Sequence, residues 1–272
     1  MTAEHTVGDV LIEVKDVSLA LEDDRGRKKQ VLRPINACVR DIVRPGCTTG
    51  QIVGVLGPSG IGKTQFSRIL TGLQRPTTGM VSVEGRPVTS GLVGMVAQDY
   101  PLFRWRTVRG NLMVALEHSG LSRQGRRDRV TEYLRRFGLE EKGDLYPSQL
   151  SGGQRQRVAI IRELLCSEHY VVLDEPFTGL DPIMKDRVAE MIVQVANTHE
   201  KNTLFVVAHD IQALVSISDT LWLFGRDPGI PGAYVKKTYN LVERDLAWRP
   251  GISRTREFFD FCAEVRAEFE EL

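Results

Sequence analysis

Residues 57–64 read Gly-Pro-Ser-Gly-Ile-Gly-Lys-Thr, a G-x-x-x-x-G-K-T loop, and its surroundings limit the folds open to this chain. Residues 51–56 (QIVGVL) form an apolar run with β-branched members, as a buried strand does. After the loop, Phe66, Ile69, Leu70 and Leu73 fall on one face of a helix. Strand, glycine loop and helix together form a cradle for phosphate. Gly57, Gly60 and Gly62 let the backbone curl so that successive N–H groups point inward. The helix starting near Lys63 adds its positive end. Lys63 is expected to reach the β- and γ-phosphates of a nucleoside triphosphate, and Thr64 to set its hydroxyl on Mg2+. Pro58, Ser59, Ile61 and Gln65 complete the predicted nucleotide-binding set of this loop.

A second acidic element fits the first. Residues 170–175 (YVVLDE) are an apolar strand ending in two carboxylates. Ligand sites of open α/β sheets lie at such carboxyl ends. Asp174 is expected to hold Mg2+, mostly through water, and Glu175 to polarise the attacking water beside the γ-phosphate. Further strands are predicted at 10–17, 31–39, 79–83, 92–97, 203–208 and 220–224, and 22–30 reads as a polar loop. A helix with Val188, Met191, Ile192 and Val195 on one face lies between 170–173 and 203–208. This alternation predicts an α/β fold with a mostly parallel sheet. Residues 105–165 read as helical, with breaks at Gly120, Gly125, Gly138 and Gly143, and form an inserted block.

Composition removes several classes. The chain has 272 residues, 42% hydrophobic, with formal net charge +1, which gives no basic field for nucleic acid. No stretch approaches the ~18 consecutive apolar residues of a spanning helix, and the N-terminus lacks a secretory pattern. Cys38, Cys47, Cys166 and Cys262 are scattered, without metal-ligand spacing, and read as reduced thiols of a cytosolic protein.

Residues 150–154, LSGGQ, followed by RQRVAIIREL, narrow the class. Ser151, Gly152 and Gly153 precede a helix with Val158, Ile161, Leu164 and Leu165 on its apolar face, so this is a second anion-ready helix start. The sequence resembles the signature of ABC ATPases. Gln98, at the end of 92–97, resembles the Q-loop; Asp181 in TGLD, the D-loop; and His209, after 203–208, the switch histidine. The resemblance covers about residues 10–225. It implies a P-loop NTPase core with a mostly parallel sheet, an antiparallel β subdomain and an inserted helical subdomain. The core would comprise 1–98 and 167–225, the helical subdomain 99–166, and a C-terminal extension 226–272. It also implies ATP and Mg2+ as cofactors, with Thr64, Gln98 and Asp174 at the metal and Glu175, His209, Gln98 and Lys63 in catalysis. Ser151, Gly152, Gly153, Gln154 and Asp181 would serve the nucleotide held by a second cassette. Partners would be a second ATPase subunit, transmembrane permease subunits and a periplasmic substrate-binding protein, at the cytoplasmic face of the cell membrane.

Parts of the sequence leave alternatives open. The family usually stacks an aromatic residue on adenine, and Leu21 stands there, so that stacking is either lost or taken over by another residue and tight base selectivity does not follow from the resemblance. The stretch 40–50 is longer than the family norm and reads as an extended β-hairpin. Phe103 and Trp105 suit either a groove for a partner's helix or the helical block's own core. The arginines at 104, 106, 109, 123, 126, 127, 129, 135 and 136 suit a solvated face, or lipid head groups and partner loops. A strand is predicted near 233–241. A helix from about 254, with Phe258, Cys262, Val265, Phe269 and Leu272 in a stripe, packs on the protein's own body or on a second copy. Within the family, QDYPLFRWRTVRGNL resembles nitrate, sulfonate and taurine importers, while FTGLDP also resembles lipid-trafficking and amino-acid import ATPases. The rival class is a soluble ABC ATPase acting on ribosomes or DNA.

Overall fold

The computed structural model describes residues 5–22, 26–44, 50–167, 169–249 and 251–270. Its first element is a long antiparallel hairpin of β1 (Thr6–Glu22) and β2 (Lys28–Val43), paired from Thr6↔Val43 to Glu22↔Lys28. Both strands outrun the expected 10–17 and 31–39, because their polar ends still pair along the ladder. Residues 40–43 therefore lengthen this first hairpin rather than starting a new one. Pro45, Gly46 and Cys47 lie outside the described residues, as do Asp23, Asp24 and Arg25 of the expected loop. β4 (Thr78–Val83) and β5 (Arg86–Pro87) complete a four-stranded sheet in the order β2-β1-β4-β5.

The second sheet has the order β10-β9-β3-β8-β7-β6, built from β3 (Gln51–Leu56), β6 (Gly94–Val96), β7 (Tyr170–Asp174), β8 (Thr203–Ala208), β9 (Thr220–Gly225) and β10 (Tyr234–Asn240). Its pairs are parallel except β10 with β9. Strand alternation sends side chains to two faces. Val53, Val55, Val172, Phe205, Val207, Trp222 and Phe224 join α1 (Lys63–Leu70) and the four-stranded sheet in one core. Ile52, Leu56, Val171, Leu173, Leu204, Val206 and Leu221 face the other way, into a core shared with the remaining helices.

That second core includes the helical block: α2 (Val108–Ala115), α3 (Arg123–Arg136) and α4 (Gly152–Ser167). Gly125 does not break the block. It sits in the first turn of α3, where its N–H is accepted by the N-cap Ser122 hydroxyl. Several arginines make surface ion pairs, Arg129 and Arg136 with Glu132 and Arg135 with Glu140, as on a solvated face. Val108 is fully buried whereas Trp105 is 73% exposed, so the aromatic segment only partly feeds the core.

α5 (Pro182–Ala196) and α6 (Ile211–Ile217) cover the same face. α7 (Arg256–Glu270) packs on α6 with Phe258, Phe261, Cys262 and Val265 buried, and the Phe261 ring meets Tyr239 edge-on at 5.3 Å. The stripe thus seats on the chain's own body, with Phe269 half-buried against the same core and Phe261, which the periodicity did not name, buried beside it; Leu272 lies outside the described residues. Cys38, Cys166 and Cys262 are free thiols. Among the described residues, no helix is long and apolar enough to cross a membrane.

Asp219 ties three segments at the foot of the sheet. Its carboxylate accepts from the Ile52 N–H at 2.6 Å and faces Arg44 at 3.5 Å, and its backbone carbonyl accepts from Leu241 N–H. Burial pushes its carboxyl up to about 7, against the pull of the Ile52 N–H and Arg44. A raised carboxyl means the native state holds a proton that the unfolded chain has released, so this contribution is lost as pH rises from about 4 to about 7. Asp219→Asn keeps an acceptor for Ile52 without titrating. Its Tm relative to the parent chain should therefore climb across that window in calorimetry; a constant difference would contradict the assignment.

Candidate active site

The loop after β3 turns through left-handed backbone at Gly60 (φ 74°) and Gly62 (φ 119°). A Cβ on Gly62 would lie 3.1 Å from the Leu32 side chain, so both conformation and space require glycine there. Gly62 is the N-cap of α1. Lys63 is buried, and its ammonium donates to the carbonyls of Gly57 (2.7 Å) and Pro58 (3.1 Å). Burial lowers its pKa, which Glu175 and Asp174 oppose.

β7 delivers the two carboxylates. Asp174 is buried near Thr64, yet its Oδ1 has no hydrogen-bond partner among the described residues. Burial raises its pKa, opposed by Thr64 and Lys63. An orphaned carboxylate oxygen beside a threonine hydroxyl fits a hard divalent cation. Glu175, one residue on, has φ 52°, a strained conformation for a side chain of this kind. Its Oε2 accepts from His209 Nδ1 (2.9 Å) and from the Thr178 hydroxyl (3.1 Å), and Oε1 lies 3.6 Å from Lys63 Nζ. Because a carboxylate only accepts, Nδ1 of His209 carries the proton.

Lys63, Thr64, Gln65, Ser59, Gly60, Gly62, Gln98, Glu175, Thr178 and His209 line one cleft of about 510 Å3, which Leu21 and Val31 also line. The structure thus brings together the glycine loop, Gln98, Glu175 and His209, and Asp174 sits behind Thr64. Leu21 and Val31 are the aliphatic members of this lining, and among the described residues no aromatic side chain joins them. Ser151, Gly152, Gly153, Gln154 and Asp181 are not part of the cleft. Ser151 and Gln154 cap the start of α4 reciprocally, Ser151 N–H to Gln154 Oε1 (2.9 Å) and Gln154 N–H to Ser151 Oγ (3.3 Å), on an exposed surface. Asp181, also exposed, caps α5 through Met184 N–H at 3.0 Å.

Sequence reasoning missed three residues. Thr178 steadies Glu175. Tyr100 and the buried Gln156 both donate to the Pro176 carbonyl at 3.3 Å, joining the segment after Gln98 and helix α4 to the residue beyond Glu175. A tyrosine in a loop and a glutamine inside a helix carry no spacing signal for such a contact.

A glycine cradle with a buried lysine, a carboxylate with an orphaned oxygen and an adjacent glutamate bonded to a histidine are the arrangement of a P-loop ATPase. Residues 42–178 match the family model described as "ABC transporter". The nitrate import ATP-binding protein NrtD of Synechocystis sp. is 37% identical over 224 residues, covering 80% of this chain and 82% of that protein. A methionine import ATP-binding protein, MetN of Nocardia farcinica, is 37% identical over 180 residues, covering 62% of this chain and 54% of its own length. A dimeric structure of MJ0796, a bacterial ABC transporter cassette, superposes with a TM-score of 0.66 at 25% identity, covering 85% of this chain and 99% of that one. The chain belongs to the ABC transporter family, as its ATP-binding, ATP-hydrolysing component.

The orphaned Asp174 oxygen makes nucleotide and metal separable. A ligand at about a hundred times its Kd stabilises by about 2.7 kcal/mol, roughly 5–10 °C in Tm for a chain of this size. Thermal melts should show a rise with ATP and a further rise with Mg2+ added. Asp174→Asn should keep most of the first and lose the second. An undiminished Mg2+ increment in that variant would remove Asp174 from the metal site.

Proposed function

We propose that this chain is the ATPase subunit of an importer, working as a pair of cassettes that close around two ATP and drive a separate transmembrane permease at the cytoplasmic face of the cell membrane. The observation that carries this reading is the exposed, glycine-softened start of α4, which stands, like Asp181, outside the cleft that collects the glycine loop, Gln98, Glu175 and His209. One chain offers a half-site. A two-fold pair sets the same surface patch of each chain against the other, so that Ser151, Gly152, Gly153 and Gln154 of one cover the triphosphate in the cleft of the other, with Asp181 at the seam.

Each residue has a task in that arrangement. The backbone N–H groups of residues 59–65, the positive end of α1 and Lys63 hold the phosphates. Thr64, Asp174 and Gln98 would hold Mg2+, which supplies charge neutralisation on the phosphate oxygens when bound. Glu175 accepts a hydrogen bond from the attacking water and orients it in line. His209 donates from Nδ1, first to Glu175 and, once nucleotide is present, to the γ-phosphate. Cleavage removes the γ-phosphate that both chains share, and the equilibrium returns to the open pair. Leu21 and Val31 offer the base apolar contact without stacking, which supports loose base selectivity.

Import is supported by the names of the nitrate and methionine relatives. A periplasmic substrate-binding protein completes the proposed system. The division into a core (1–98 and 167–225), a mobile helical subdomain (99–166) and an extension (226–272) follows from the same reading. The exposed Trp105, with Phe103 at 5.5 Å, supports a permease docking face beside Gln98.

Two variants test the pair. Glu175→Gln should bind ATP, turn it over at least about a hundredfold more slowly, and accumulate as a dimer in ATP by sedimentation. Ser151→Arg should bind ATP as a monomer and fail to dimerise. Near-normal turnover in the first would remove Glu175 from the mechanism; an unchanged ATP-dependent dimer in the second would refute the head-to-tail arrangement.

A further inference from the structure

Lys185 has no part in any motif, yet it makes a close charged contact beside the cleft. Its ammonium lies 2.6 Å from Oδ2 of Asp210, the residue next to His209. Asp210 is fixed from both sides, because its Oδ1 caps α6 through the Ala213 N–H at 3.1 Å. Lys185 and that cap both hold the Asp210 carboxyl below its usual range, opposing partial burial. At its other end, Lys185 stands one turn into α5, with its N–H bonded to the Asp181 carbonyl at 2.9 Å. Lys185, Asp210, His209 and Glu175 also line one small cavity of about 110 Å3, with Gly179 and Leu180.

We infer that Lys185 is a positioning residue, a strut that carries the placement of Asp181 through the first turn of α5 to Asp210 and so sets His209 against Glu175. A helical turn is stiff, and the two caps, Asp181 on α5 and Asp210 on α6, leave the strut little slack. A shift of the Asp181 cap therefore moves Lys185 with it. Asp210 follows through its charge-assisted bond, and the His209 backbone is covalently next to Asp210. The inference rests on the proposed reading, in which Asp181 lies at the seam between cassettes and His209 serves the γ-phosphate. It adds that closure of the seam is reported to the hydrolytic pair within one chain. Both strut residues are partly exposed, so their pairing adds little to stability and its effect appears in the rate.

The test compares steady-state ATP hydrolysis by the full chain and its variants. Lys185→Met should lower kcat about tenfold to a hundredfold, as misplacement of a reacting group does, with KM for ATP within about twofold and Tm nearly unchanged. Lys185→Arg should recover most of the rate, because it keeps the charge and the reach. Asp210→Asn, which keeps the Oδ1 cap, should be slowed like Lys185→Met, and the double variant should be no slower than the slower single. A normal kcat in Lys185→Met, no recovery in Lys185→Arg, or multiplying losses in the double variant would overturn the strut. His209→Ala separates the two levels. If it hydrolyses ATP normally, the reading of the site fails; if it is inactive while Lys185→Met is normal, only the strut fails.

Discussion

Everything at this site depends on a cation and two carboxylates gathered at the carboxyl end of a parallel sheet and largely withdrawn from water. Lys63 and Asp174 are buried, and Glu175 is mostly so. Burial works against the charge on Lys63 and Asp174: it lowers the first and raises the second. Their mutual attraction offsets part of that cost, and two loop carbonyls take the Lys63 ammonium. The Asp174 oxygen left without a partner is the residue of that imbalance. On the proposed reading, a triphosphate with its cation would supply partners for both charges. The strained backbone of Glu175 belongs to the same economy, held by Val207, Thr178 and His209 around it.

The motifs were legible because their chemistry fixes spacing along the chain. The glycine loop, the YVVLDE strand end, Gln98 and His209 each follow a buried strand, and a buried strand shows as an apolar run. β8 appears at 203–208 as expected, and β7 and β9 each extend one residue further. What stayed hidden depends on partners distant in sequence. The full length of β1 and β2 follows from cross-strand pairing, which polar residues such as Glu22 and Lys28 do not announce. Gly125 could be taken for a break, since glycine disfavours a helix interior, but the first turn tolerates it when a serine caps the end. Phe261 is buried in addition to the predicted stripe, with its ring against Tyr239 of β10, a partner distant in sequence.

The contacts around Pro176 and Asp210 give the cleft its mechanical setting. Gln156 reaches the Pro176 carbonyl from α4, the helix whose exposed start carries Ser151, and Tyr100 reaches it from the segment that leads to Trp105. Lys185 reaches Asp210 from α5, the helix that Asp181 caps. Glu175 and His209, bonded to each other at 2.9 Å, thus sit between tethers that lead to three exposed surfaces of the chain. In a packed interior, a displacement at one end of such a tether is not absorbed by slack, because close-packed side chains have few voids to move into.

This arrangement explains why a half-site is a useful thing for one chain to be. If all the groups needed for hydrolysis lay in a single cleft, bound ATP would be consumed whether or not anything were being moved. In the proposed pairing, the signature helix on an outer surface makes hydrolysis conditional on a second chain. Routing tethers from that surface, from the seam and from the aromatic segment to the glutamate–histidine pair lets assembly bear on the rate as well as on affinity. The differential contact free energy of the closed pair, rather than the tightness of ATP in one cleft, is then what a permease can bias.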